Sequence, residues 1–404
     1  MNDRREITLK DRIIDYFRIL RTKQGFKTFT AVAMAVGVGL LAGLLVLIVA
    51  NPGKSFFGFL YILIGPFGDR SPMIGIGEML YYTTPILFTG LSVGFAFKTG
   101  MFNIGASGQF MVGQCAALYV AFYGQSLGAI QWVVAVIAGI LAGALWGFFV
   151  GLFKALFNVN EVITAIMFNY IGLNLVNILV RGNPLIYDLN RARSYKIPAG
   201  ARLPDFGLQS IFPGSSVDIG IIIAILVAIM LYIVLNKTTF GYELKAVGLN
   251  KNASRYAGIN DKKSIILSMS IAGALSGLGG ALQILSPGVI TAGKSLGKEY
   301  TPTDIVASEG FNGIPVALLG LSNPIAIIFS AIFVTYLQRG GYYMQSLNYP
   351  IEIIDIIIAI IIYFSAFAIL MRNILASAIS RRKEKKAFED STIDHPDIDN
   401  GGAV

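Results

Sequence analysis

The sequence predicts an all-α polytopic membrane protein with about ten transmembrane helices and both termini in the cytoplasm. Three observations carry that reading. Apolar runs long enough to cross a hydrocarbon core of roughly 30 Å recur along the chain. Only 14% of the 404 residues are charged, whereas soluble chains average about a quarter. The basic residues behind the net charge of +9 collect in short loops and near the ends, as the excess of Lys and Arg on the cytoplasmic side requires. That distribution accounts for the charge better than phosphate binding does, so nucleic acid is not an expected partner.

Residues 1–27 carry Arg4, Arg5, Lys10, Arg12, Arg18, Arg21, Lys23 and Lys27 around an apolar stripe at Ile13, Ile14, Phe17 and Leu20. They predict an amphipathic helix lying in the cytoplasmic interface. The transmembrane domain, 28–371, opens with the run from Phe29 to Ala50. It is longer than a signal-peptide core and has no small-residue cleavage site, so it reads as an anchored first span. After an outer loop rich in Gly and Pro, spans two to five are expected at Gly75–Phe97, Asn103–Tyr123, Ile130–Phe153 and Val162–Val180. Spans six and seven follow at Val217–Leu235 and Ser264–Leu285, and eight to ten at Pro302–Leu319, Pro324–Gln338 and Pro350–Met371. The eighth and ninth are short, and one of them is a candidate re-entrant segment.

This parity puts Lys98, Lys154 and the 237–263 loop inside, with Arg372, Arg381 and Arg382 after the last span. It puts the 181–216 loop outside, against the charge of Arg181, Arg191, Arg193, Lys196 and Arg202. That loop is long and holds Pro184, Pro198, Pro204 and Pro213, so it is expected to fold as a small external cap. Residues 372–404 form a cytoplasmic tail whose acidic, Gly-bearing end from Glu389 has the composition of disorder. Small residues at Gly139, Gly143 and Gly147 in span four, and at Gly273, Gly277 and Gly280 in span seven, predict closely packed helices.

Polar groups inside a membrane are costly, so each needs a partner or a task. Glu161 opens span five as a solvated helix-start acid or a functional carboxylate. Asn169, Asn174 and Asn177 follow in the same span, and serve either helix–helix hydrogen bonds or a wet path. Asp304, Glu309, Glu352 and Asp355 form a second group, suited to a hydroxyl-rich solute. Tyr342, Tyr343 and Tyr349 read as an interfacial aromatic belt. The 237–263 loop is longer than a turn needs.

Catalysis has no support. Cys115 and His395 are single, so neither a disulfide nor a metal cluster is expected, and no nucleophile constellation is present. Residues Gly288 to Ser295, GVITAGKS, match the phosphate-binding pattern G-x-x-x-x-G-K-[ST]. The motif works at a strand-to-helix turn in an αβ domain. Here it follows a membrane helix and Pro287 on the expected outer face, so it is rejected.

The segment Phe97 to Gly113, FKTGMFNIGASGQFMVG, resembles the FNIGAEGQ signature of permease subunits in ATP-binding-cassette importers of the branched-chain amino acid, ribose and nucleoside group. Gly241, Ala246, Val247, Gly248, Asn250, Ala253, Ala257, Gly258 and Ile259 resemble that family's cytoplasmic segment, and Gly310 to Pro324, GFNGIPVALLGLSNP, its late motif. NEVITAIMFNYI at Asn160 to Ile171 is most similar to the nucleoside-type, guanosine-like permeases. Ser107 replaces a Glu of the pattern, Asn312 an Asp, Pro315 an Ala and Ser254 an Ala, so no carboxylate role is carried over at 107.

The resemblance implies a multi-pass prokaryotic plasma-membrane permease paired with a second, related permease subunit as a heterodimer. A separate cytoplasmic ATPase would bind ATP and Mg, this chain itself holding no cofactor, and an extracellular binding lipoprotein would deliver the solute. It assigns coupling to the ATPase to Ala246, Val247, Gly248, Leu249 and Asn250, with Ala253, Ala257 and Gly258. The glycines suit a short helix across the membrane face, with Ala246, Val247, Leu249 and Ala253 as its apolar contacts. The translocation pathway is assigned to Asn103, Gln109, Glu161, Asn169 and Asn174, with Asp304, Glu309 and Asn312. Purine nucleosides are the expected solute. Simple sugars such as ribose are the alternative within the class, and an ion-coupled secondary transporter is the alternative outside it.

Overall fold

A computed structural model describes residues 24–69, 71–291, 294–295, 297–366 and 377. The expectations for residues 1–23, the end of the tenth span and nearly all of the 372–404 tail fall outside the described residues. The helices are α1 Gln24–Ala50, α2 Ser55–Ile64, α3 Pro72–Lys98, α4 Ala106–Tyr123, α5 Gln131–Phe157 and α6 Glu161–Arg181. A hairpin of β1 Tyr187–Asp188 and β2 Arg193–Ser194 precedes the short α7, Leu208–Ile211. Then come α8 Gly220–Lys237, α9 Thr239–Leu249, α10 Lys251–Tyr256 and α11 Asp261–Leu285. A second hairpin, β3 Ile290–Thr291 with β4 Lys294–Ser295, leads to α12 Ser308–Leu319, α13 Pro324–Met344 and α14 Ile351–Ala366.

Among the described residues, six helices are long and apolar enough to cross a membrane: α3, α6, α8 and α11, with Gln125–Phe157 containing α5 and Pro324–Leu347 containing α13. The expected eighth span, Pro302–Leu319, is corrected. Its helix is only 12 residues, about 18 Å long, because residues 302–307 run as non-helical chain along a cavity. The expected ninth span is longer than its apolar run, reaching Met344 over 21 residues. In the expected outer loop after α1, the apolar run SFFGFLYILI forms α2, with Gly58 close against Tyr349 and Met344.

The described residues divide into two compact units, one within 47–358 and a smaller one that joins residues 24–46 with 359–366. In the smaller unit Gly39 lies against the backbone of Ile361. In the larger unit α3 and α11 are central, with 83% and 72% of their apolar windows buried, whereas α5 and α8 bury only 33% and form the periphery. Small residues make the centre possible. A Cβ on Gly143 of α5 would stand 2.7 Å from the Gly277 Cα of α11, closer than any real side chain tolerates. The two backbones therefore touch, and dispersion rather than water drives the contact in lipid.

Polar side chains cap the helices that lead into α11 and α11 itself. Before it, Thr238 accepts from Gly241 N (3.1 Å), Asn250 from Asn252 N (3.1 Å) and Ala253 N (3.0 Å), and Asn260 from Lys263 N (3.0 Å). These caps break the 237–263 loop into two helices where the sequence suggested one. Gly258, at φ +81°, closes α10 with Ile259 N donating to Ser254 O and Gly258 N to Arg255 O, both 3.0 Å. Beyond the other end of α11, the 181–216 segment is tied down by backbone hydrogen bonds. Leu203 N donates to Leu285 O (2.9 Å), Ile197 N to Lys298 O (3.0 Å) and Ser194 N to Tyr300 O (2.8 Å). The GVITAGKS stretch is part of the second hairpin, and the next helix begins only at Ser308. The phosphate-cradling helix N-terminus is missing there.

Candidate functional site

The FNIGASGQ turn is knitted by amides. Asn103 Nδ2 donates to Ser92 Oγ and to Gln109 Oε1, both at 2.8 Å, and Gln109 Nε2 returns a bond to Asn103 Oδ1 at 3.0 Å. Ser92 Oγ in turn donates to the Ala272 carbonyl of α11 at 2.6 Å. From α6, Asn169 Oδ1 accepts from Gly108 N (2.8 Å) and its Nδ2 donates to Ile104 O (3.1 Å). Asn103 and Gln109 are 0% exposed and Asn169 2%. Their hydrogen bonds go to one another, to Ser92 Oγ of α3 and to the turn's backbone. Of the two tasks open to Asn169, the structure places it in the helix–helix bond. Asn103, Gln109 and Asn169 of the expected pathway are thus buried together at this turn and do not line a cavity in this conformation.

The other assigned pathway residues scatter. Glu161 pairs with Lys154 at 2.8 Å, near the start of α6. Asn174 is exposed and donates to its own helix at Tyr170 O, 2.8 Å. Asp304 is exposed and meets Arg181 at 3.4 Å. Asn312 is half-buried on α12, and Asn177 reaches across from α6 to Thr303 O at 2.8 Å.

A cavity of about 470 Å³ does exist, between α4, the end of α11 and the 298–309 segment. Glu309 is the one assigned pathway residue that lines it. A directed chain of side chains runs across the wall. Gln114 Nε2 donates to Gln283 Oε1, and Gln283 Nε2 donates to Glu309 Oε1, each at 2.7 Å. Lys298 also lines the cavity, with its ammonium on the Tyr81 hydroxyl and 3.8 Å from the centre of that ring. Burial lowers its pKa to about 8, against the opposing pull of Glu78 and Glu309. Glu299 is held by Arg191 (3.1 Å) and Arg193 (3.0 Å), so the cap's hairpin is tied to the cavity wall. Gln114, Gln283 and Lys298 were not singled out from the sequence. The two glutamines are amides in apolar spans, but unlike Asn169 neither belongs to a run of asparagines in one span.

Beside this wall Tyr82 packs edge-on against Tyr81, and Arg339 of α13 lies 5.9 Å from the Tyr82 ring and 5.2 Å from the Tyr342 ring. The tyrosines expected as a belt separate. Tyr349 is 3% exposed and donates to Asn51 O (3.0 Å). Tyr343 donates to Asp69 (2.8 Å), and Tyr342 stays exposed.

In the 237–263 loop, Val247 is 6% exposed and faces inward, in a cluster with Ala96, Met101, Val150 and Ala272. Gly248 crosses the FNIGASGQ approach so closely that a Cβ would stand 2.6 Å from Gly100 N. Ala246 is half-buried and Asn250 serves as a cap, while Ala253, Ala257 and Gly258 are exposed. Leu249 at 88% and Tyr256 at 96% are the projecting apolar groups. Asp261, almost fully buried, receives Arg255 through two bonds (2.8 and 3.0 Å) and Lys251 at 3.3 Å. That clamp fixes α10 onto the start of α11, and the paired carboxylate raises the pKa of Arg255.

The matched region takes in the FNIGASGQ turn, the cavity and the 237–263 loop. Residues 75–366 fit the family described as branched-chain amino acid transport system / permease component. The chain belongs to that family. It is therefore a membrane transport component rather than an enzyme. The permease is 36% identical over 348 residues to the guanosine ABC transporter permease protein NupP of Bacillus subtilis (strain 168), covering 85% of this chain and 94% of that one. It is 34% identical over 365 residues to the nucleoside ABC transporter permease protein NupB of Lactococcus lactis subsp. cremoris (strain MG1363), covering 88% and 97%. It is also 28% identical over 267 residues, 64% and 79% of the two chains, to the guanosine ABC transporter permease protein NupQ of Bacillus subtilis (strain 168). No solved structure matches the chain.

Proposed function

We infer that this permease carries nucleosides inward across a prokaryotic plasma membrane as one subunit of an ATP-binding-cassette importer. The observation that carries the reading is near-full-length identity of 36% and 34% to two permeases whose names give guanosine and nucleosides as cargo. The cavity supports it. Its volume of about 470 Å³ lies in the usual range for small-molecule sites, roughly 300 to 1,000 Å³. Its lining offers amides, hydroxyls and two carboxylates, Glu299 and Glu309, and its lysine already contacts Tyr81. Such a wall suits an uncharged, hydroxyl-rich solute and repels a nucleotide's phosphate.

NupP and NupQ are two distinct permeases of one organism that share the guanosine name, which supports a second, related permease as the partner. The ATPase, carrying ATP and Mg, docks on the 237–263 loop through Leu249, Tyr256 and the exposed small residues. Closure of the ATPase dimer drives alternating access, the rigid loop passing the motion to α11 and to the FNIGASGQ turn. An extracellular binding lipoprotein delivers the solute over the 181–216 cap.

Reconstitution tests the whole reading. Proteoliposomes holding this chain, its partner permease and the ATPase, supplied with the binding protein, are expected to accumulate labelled guanosine only with ATP and Mg. Accumulation driven by a proton gradient, with this chain alone in the bilayer, would overturn it.

A further inference from the structure

We propose that Glu309, oriented by Gln283 and Gln114, binds the vicinal hydroxyls of the solute's ribose. This rests on the nucleoside reading and adds the group that is recognised. Three carboxylate or ammonium groups line the cavity: Glu299 is ion-paired with Arg191 and Arg193, and Lys298, which rests on Tyr81, can only donate. Glu309 has capacity to spare. One oxygen takes the 2.7 Å bond from Gln283, and the other has only a 3.4 Å approach from Ser308 Oγ. An ionised carboxylate offers about four acceptor sites and no donor, so it requires donors from whatever fills the space. A ribose 2′,3′-diol supplies two adjacent O–H donors at the spacing of the two carboxylate oxygens.

The surroundings fix the carboxylate rather than leave it to rotate. Gln114 donates into Gln283 Oε1 at 2.7 Å, which settles the Gln283 amide with its N–H groups toward Glu309. The Glu309 backbone is pinned as well, its carbonyl accepting from Thr89 Oγ1 at 2.8 Å. Gly310 sits directly on Ser107, so the first turn of α12 cannot slide along α4. The side chain also lies in that first turn, where the helix dipole favours an anion. The carboxylate is presented to the cavity from a rigid frame.

The test is uptake by the complete importer in cells, comparing guanosine with 2′,3′-dideoxyguanosine at matched membrane levels of the chain. The binding protein is the same in every arm, so a changed ratio reports on the permease. Glu309→Gln is expected to lower guanosine uptake about tenfold, the loss typical of one charge-assisted hydrogen-bond pair. Dideoxyguanosine uptake should change less than twofold. Gln283→Leu, which keeps the carboxylate but frees it, should move the same ratio about threefold, and Glu309→Asp should restore part of it. Equal loss of both solutes, no loss of either, or a loss that follows the guanine 2-amino group when inosine is substituted would overturn the proposal. Absence of guanosine uptake by the unaltered importer would overturn the nucleoside reading itself, and this inference with it.

Discussion

Two sets of side-chain amides lie within a few helical turns of each other and behave differently. Asn103, Gln109 and Asn169 are spent on the backbone of the FNIGASGQ turn and on one another. Gln114 and Gln283 form a directed chain that ends on a carboxylate at a cavity. The residue types are the same, and so is the price of burying them unpaired. What differs is the partner: a fixed backbone group closes the account, whereas a cavity leaves acceptors for a transient visitor. On the proposed reading, the first set acts as a rigid joint beside the 237–263 loop and the second as a wall that recognises the solute.

The comparison breaks most completely if the joint's scaffold is forced apart. Gly277→Leu builds a side chain where a Cβ would already stand 2.9 Å from the Gly143 Cα. The expected outcome is no assembled permease, read as loss of the monodisperse peak after detergent extraction. Asn169→Leu is the next largest. It strands the Gly108 N–H and the Ile104 carbonyl in a dry site, and should destabilise the fold by about 2 to 5 kcal/mol. The melting temperature of the purified chain measures it, and uptake per folded molecule is expected to stay near its starting value.

Asp261→Ala tests whether the joint continues into the loop. Arg255 and Lys251 are about half-exposed and lose only their anchor, so the melting temperature should shift little. ATPase binding in a pulldown is expected to weaken about tenfold, since α10 then pays the ordering entropy on docking. Leu249→Ala should be the smallest effect. It removes a projecting apolar contact at 88% exposure and is expected to weaken the same binding about threefold. Its melting curve should stay unchanged.

Local signals made much of this fold legible. Apolar run length set the long helices to within a few residues, as for Gly75–Phe97 against Pro72–Lys98. The excess length of the 237–263 segment marked it out, and its helix breaks fell at cap residues. Run length misled at Pro302–Leu319, where PTDIVA has span-like composition but lies along the cavity, and around Ser55–Ile64, where flanking Gly and Pro masked a helix. The candidate site was legible only in part because partners are tertiary facts. Nothing local separates Asn169, which meets a backbone 61 residues away, from Gln283, which meets Glu309 across the cavity. Val247 likewise has the same apolar character as Leu249, yet it faces the core while Leu249 projects.

The central claim is that these two amide sets divide rigidity from recognition, and one paired measurement tests it most directly. Melting temperature and guanosine uptake per folded molecule are measured together for Asn169→Leu and Gln283→Leu. The account predicts a crossed result: Asn169→Leu melts much lower and transports normally, while Gln283→Leu, whose partners border a cavity, melts closer to the unaltered chain and transports poorly. Normal stability with lost uptake in Asn169→Leu, beside normal uptake in Gln283→Leu, would contradict it.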